Sequence, residues 1–170
     1  MPAELFFARY HPVDLEPKNS IGAKWLRLLD KLPLKSVVEK KRTAIKVHLG
    51  GGTGFTTVHP FFLRKLVDKV RAAGAREIFL TDTAGAVFSA HERGYARETI
   101  GCLLLPAAGA SDKYFYSRPI KPAFKSLKEV ELAGEIVDAE ALIDVSHVKG
   151  HGACGFGGAS KNLSMGCVTG

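Results

Sequence analysis

Three apolar runs, Thr43–Leu49, Glu77–Thr81 and Ala141–Ser146, each end in a turn crowded with glycine, threonine or histidine. Helical patterns follow these turns. Strand, loop and helix repeated in this order build crossover connections and a mainly parallel sheet. The chain is therefore expected to form a single α/β domain over residues 1–170. Its mostly parallel sheet should carry helices on both faces, with a C-terminal edge that can be incomplete. Ala3–Tyr10 reads as a first strand ended by His11-Pro12. Ser20 can cap a helix through Trp25, Leu26, Leu28, Leu29 and Leu32, which Pro33 closes. Phe61–Ala73 is amphipathic, with Phe62, Leu63, Leu66, Val67 and Val70 facing inward and Gly74 as the stop. A helix over His91–Ile100 and a short strand Cys102–Leu105 come next. Tyr114-Phe115-Tyr116 reads as an edge strand or lid, and Val130–Ile136 as a segment that pairs locally.

At 170 residues, with 46% hydrophobic and 24% charged residues, the chain can bury a sizeable core and is not disordered in composition. No apolar run approaches the roughly 20 residues that span a bilayer. Glu4 and Arg9 interrupt Leu5–Ala8, so no secretory leader is expected, and a cytoplasmic location is the default. Three cysteines, Cys102, Cys154 and Cys167, are not a disulfide framework and fit a reducing compartment. A [4Fe–4S] cluster normally needs four thiolates, so this chain can hold one only with an additional chain or partner. The net charge of +7 gathers in Lys35, Lys40, Lys41, Arg42 and Lys46 and again in Arg118, Lys121, Lys125 and Lys128. Two solvated faces are the favoured reading, with a small phosphate or carboxylate as the functional one. No RNA-binding aromatic motif, zinc finger or helix-turn-helix accompanies the charge, which makes nucleic acid the weaker partner.

In parallel sheets ligands sit beyond the carboxyl ends of the strands. The loops Gly50–His59, Asp82–Ser89 and His147–Ser160 are the candidates for that rim. Gly50–Gly54 holds the position of a phosphate cradle but matches neither common nucleotide pattern. Amides around Gly51, with the Thr56 and Thr57 hydroxyls, can hold an anion; the alternative is a turn and nothing more. Asp82, just past a strand end, can bind a ligand or cap the next helix, and capping is the commoner fate. His147, His151, Cys154 and Cys167 are the densest set of metal-ligand types, with His147, His151 and Cys167 as the candidate ligands, yet their spacing matches no common zinc module. Lys149, His151 and Lys161 form a sharper trio. Gly155 and Gly158 would let backbone approach a ligand, Asn162 lies beside the lysine, and Ser160–Met165 reads as a short helix. A lysine at a helix start is electrostatically disfavoured, so an anionic partner or a lowered pKa is expected, with a histidine nearby to move protons.

Val145–Cys167 closely resembles the domain of unknown function 362 family, whose members carry K-x-H, then G-x-x-G-x-x-K-N-x-x-x-G, after a strand like Ala139–Val145. The resemblance extends upstream through Ala44–Gly85. It implies a protein associated with iron–sulfur clusters and related to oxidoreductases, because family members often carry ferredoxin-type cysteine motifs. No such motif stands here, which implies an iron–sulfur partner or a missing C-terminal ferredoxin segment. His151, Gly155, Phe156, Gly158, Lys161 and Gly166 are also spaced like a segment of the lactate racemase family. That likeness implies Lys161 as a tether for a nickel cofactor and His151 as an acid/base.

Three functions follow. The first is an oxidoreductase-related domain that binds a small anionic metabolite through Lys149, His151 and Lys161. The second is a racemase-like enzyme with nickel or another metal. The third is a non-catalytic module for an iron–sulfur partner. Uncovered apolar surface at an open sheet edge also predicts a homodimer.

Overall fold

A computed structural model describes residues 4–11, 14–50 and 56–168, with 122–124 described through their backbone alone. The chain begins with helices α1 (Ile21–Leu29) and α2 (Leu34–Val38). Next come β1 (Arg42–Val47), α3 (Pro60–Ala72), β2 (Glu77–Asp82), α4 (Ala84–Phe88), α5 (Arg97–Ile100) and β3 (Leu103–Pro106). An antiparallel pair, β4 (Phe115–Phe124) and β5 (Leu127–Ala133), leads to α6 (Gly134–Val137) and β6 (Ala141–Val145). The described chain closes with a small hairpin of β7 (Lys149–His151) and β8 (Gly155–Gly157), then α7 (Ala159–Gly166).

Four strands pair in parallel in the order β3-β2-β1-β6, so the expected α/β architecture stands. Side chains alternate across a strand, and this sorts β1 into two faces. Ile45 and Val47 face the main core with Leu80 and the Leu63, Leu66, Val67 and Val70 stripe of α3. Ala44 and Lys46, opposite Phe79 and Thr81 in β2, face the other way, where α7 packs. Residues Thr43–Val47 are at most 1% exposed, so β1 is covered on both faces. The Ser20 hydroxyl accepts the Ala23 N–H at 3.2 Å, capping α1 as expected. Trp25 Nε1 donates to the Phe62 carbonyl at 3.0 Å and joins α1 to α3.

Strand order sets the position of the site. From β1 the chain passes through α3 to β2 and β3 on one side. The last sheet strand, β6, lies on the other side of β1 and leads to α7 on the opposite face. The connections from β1 and β6 thus diverge, leaving a crevice beyond their carboxyl ends.

Several expectations need correction. Residues 4–11 form no strand, and Leu5, Phe7 and Tyr10 lie open to solvent. An aromatic-rich run becomes a strand only where a neighbouring strand and a covered face receive it. The helix expected over His91–Ile100 is split into a 3-10 turn, Ala90–Arg93, and α5, because Gly94 adopts φ 82° between them. Asp82 caps nothing, and α4, which starts after Thr83, has no side-chain cap. The edge strand expected at Tyr114–Tyr116 is present, as Phe115 and Tyr116 open β4, while its partner runs over Leu127–Ala133 and so begins and ends three residues before the expected Val130–Ile136. Lys46, grouped above with the solvated cations, is 1% exposed.

Candidate functional site

Period-two geometry turns Lys46 away from the main core and toward α7, into a region closed to water. A buried ammonium costs several kcal/mol unless it is paired and hydrogen-bonded. Lys46 meets that requirement fully. Its Nζ donates to the Val47 carbonyl at 3.0 Å, to Asp82 Oδ1 at 2.9 Å and to Asn162 Oδ1 at 2.7 Å. Asp82, 4% exposed, uses its second oxygen to accept the Leu49 N–H at 2.8 Å. Asn162 Nδ2 donates to the Lys46 carbonyl at 3.3 Å and to Asp144, which also accepts the Ser146 hydroxyl at 2.8 Å. One turn along α7, Gly166 completes the enclosure: a Cβ there would overlap Lys46 Cε and Nζ. The N-x-x-x-G spacing is thus a helix face shaped to admit an ammonium, since residues four apart share one face.

Above this buried clasp opens a cleft of about 220 Å³. The β7–β8 hairpin forms one wall, and two residues apart on a strand means one shared face, so Lys149 and His151 point together. Lys161, third residue of α7, reaches in from the other wall. The two lysine stems flank Gly157, where a Cβ would lie 3.5 Å from Lys149 Cγ and 3.9 Å from Lys161 Cδ. Lys149 Nζ donates to the His147 carbonyl at 3.2 Å. His151 Nδ1 accepts the Cys154 N–H at 3.1 Å, which leaves Nε2 as the ring's donor. The Nδ1 atom of His147 is buried without a partner. His48 Nδ1 stands 3.8 Å from Asp82 Oδ2.

The cleft is electropositive, and its titrating groups register this. Partial burial holds Lys149 below the ordinary lysine value, and the Lys161 charge lowers it further. Burial also holds His48 below 6.5; Asp82 opposes the shift, while Lys149, Lys46 and Lys161 add to it. Asp82 is the one carboxylate lining the cleft among the described residues, and Lys46 already occupies it.

Of the residues singled out in the sequence, Lys149, His151, Lys161, Asp82, Gly158, Asn162 and His147 line this one cleft. Four others do not line it. Thr57 packs where a Gly50 Cβ would fall and Thr56 lies beside it, while Gly155 is exposed on the hairpin at φ 68°. Cys167 is 8% exposed, and burial pushes its thiol pKa up. Gly51 lies outside the described residues. The proposed metal set is not assembled: among the described residues no three His, Cys, Asp or Glu side chains are grouped to hold an ion. The three cysteines fall short of the four thiolates a [4Fe–4S] cluster takes and are not grouped among the described residues, so these thiols do not by themselves fit a cluster. Sequence reasoning missed His48, Asp144 and Ser146, and it took Lys46 for a solvated cation. The available signal was Lys46 itself, a cation inside an almost unbroken apolar strand of the kind buried on both faces.

No curated protein and no solved structure matches the chain. The local likeness to the lactate racemase family therefore has no counterpart among the matches. A family model described as Domain of unknown function (DUF362) matches residues 43–170, a span that includes every residue of the clasp and the cleft, and the chain belongs to that family.

Proposed function

We propose that the chain binds a small anionic metabolite, bearing a carboxylate or phosphate, in the cleft beyond β1 and β6. One observation carries this reading. Lys149 and Lys161 stand together without a carboxylate partner among the described residues, in a cleft whose lining carboxylate is engaged by a third lysine. Like charges held together raise the free energy of the empty site, and an anion between them lowers it. His151 can add a hydrogen bond from Nε2. The first amides of α7, which have no side-chain cap, add donors and a favourable dipole. The volume suits a compound of a few carbon atoms rather than a nucleotide or polymer. The iron–sulfur association implied by the family resemblance enters this reading through a partner or a further segment that supplies thiolates.

Thermal unfolding with phosphate, sulfate or L-lactate tests it. A ligand at a hundredfold excess over Kd stabilises by about 2.7 kcal/mol, several degrees in a chain of this size. Lys161→Ala should abolish that increment and leave the ligand-free midpoint nearly unchanged, because its side chain only lines the cleft. The reading fails if no anion stabilises the wild type, or if the variant responds equally.

A further inference from the structure

We infer that Lys149 is an amine nucleophile that forms an imine with a small 2-oxo acid whose carboxylate rests on Lys161. The inference depends on the anion-binding reading above and adds a covalent step to it.

Three lysines meet at this site, and their surroundings divide the labour. Lys46 has three acceptors and is closed off by Gly166, so its nitrogen cannot approach a ligand. Lys161 lines the cleft from the first turn of α7 and is placed to pair with an anion. Lys149 differs from both. Its nitrogen is held by a single backbone carbonyl, that of His147, which aims it while leaving the lone pair of the deprotonated form free for attack. Its stem and that of Lys161 both pass close to Gly157, 3.5 Å and 3.9 Å from where a Cβ would lie. A lysine partly removed from water beside a second cation releases its proton more readily, which is a recognised way to activate an amine. The direction of the Lys149 shift, downward from burial and from Lys161, agrees with this.

Two lysines whose stems pass close to one glycine, and whose charges act on each other, suit a ligand with two polar groups close together. An anion next to an electrophilic carbon is a 2-oxo acid, and its few heavy atoms suit a cleft of about 220 Å³. The Lys149 lone pair forms a C–N bond to the carbonyl carbon, and the π pair moves to oxygen. Both hydrogens of the amine then leave with that oxygen as water, giving the imine, which takes one proton from solvent to become iminium. No oxidant or reductant is consumed. His151, on the same face of β7, offers its Nε2–H to the oxygen while negative charge develops there.

The test is reductive trapping on the full chain. Pyruvate is added, borohydride reduces any imine to a stable secondary amine, and peptide mapping by mass spectrometry locates it. The expected result is one adduct per chain, on Lys149, lost in Lys149→Arg and diminished by competing phosphate. An unlabelled wild type overturns the inference, as does label scattered evenly over surface lysines. L-lactate, which has the carboxylate without the carbonyl, separates the two readings. If lactate stabilises the protein and pyruvate leaves Lys149 unlabelled, only the covalent step is wrong. If no anion stabilises it, the binding reading is wrong.

Discussion

A lysine as enclosed as Lys46 persists because each of its three donors has an acceptor and because residue 166 has no side chain. Gly166→Ala must push the ammonium off Asp82 or lift α7 from the sheet, at about 1–3 kcal/mol. Met165→Ala, one residue earlier but 60% exposed, should stay within about 0.5 kcal/mol. Urea midpoints of the two variants decide this, and equal midpoints would contradict the clasp. The titrating residues make a second prediction. In the free protein Lys149 and His48 both sit below their ordinary values, so each gives up its proton more readily than a free side chain would. A bound anion favours the charged forms and raises both, so binding takes up protons and weakens as pH rises. Calorimetry in buffers of different ionisation enthalpy measures that uptake, and proton release would contradict the electropositive cleft. Linkage gives a further sign for His48. Its folded value is lowered, so below the ordinary 6.5 the unfolded chain takes up the proton first and stability declines.

Helix α7 is only eight residues long and has no side-chain N-cap, so its own hydrogen bonds do not account for its stability. It is held by Asn162, which reaches Lys46 and Asp144 on two different strands. Asn162→Ala takes a hydrogen-bond partner from the Lys46 ammonium, the Lys46 carbonyl and Asp144 and should cost about 1–3 kcal/mol. It should also raise amide exchange across residues 159–166, measurable by mass spectrometry; unaltered exchange would mean α7 is anchored elsewhere. The β7–β8 hairpin shows why one wall of the cleft escaped sequence reading. With three residues per strand and glycines at 150, 152, 155 and 157, it has almost no apolar alternation to report. The spacing of Lys149 and His151 was visible, whereas the extended backbone that aligns them was not. For the segment 4–11 the error runs the other way: aromatic content was present, and no strand lay alongside to pair with it.

Across the whole molecule, β1 and β2 form a centre covered on both faces, while β4–β5 stands apart as a two-stranded arm with Lys128 and Arg118 in solvent. Hydrogen exchange should therefore be slowest in residues 43–47 and 78–81 and fastest in residues 4–11 and at the arm's tip near 125. A uniform profile would contradict this division. The α/β class, the three sheet strands that open onto the site and the stripe of α3 follow from the sequence alone. Strand and helix periodicities are local, and each run carries its own pattern of buried and exposed residues. The meeting of Lys149, His151 and Lys161 was legible too, because all three fall within thirteen consecutive residues after one strand. The tertiary structure alone decided what lies beneath them. Lys46 is 36 residues from Asp82 and 116 from Asn162, and the apolar run around it hints at burial without telling which partners receive the ammonium. Those partners depend on the strand order that sets β6 beside β1 and brings a glycine of the last helix onto the ammonium.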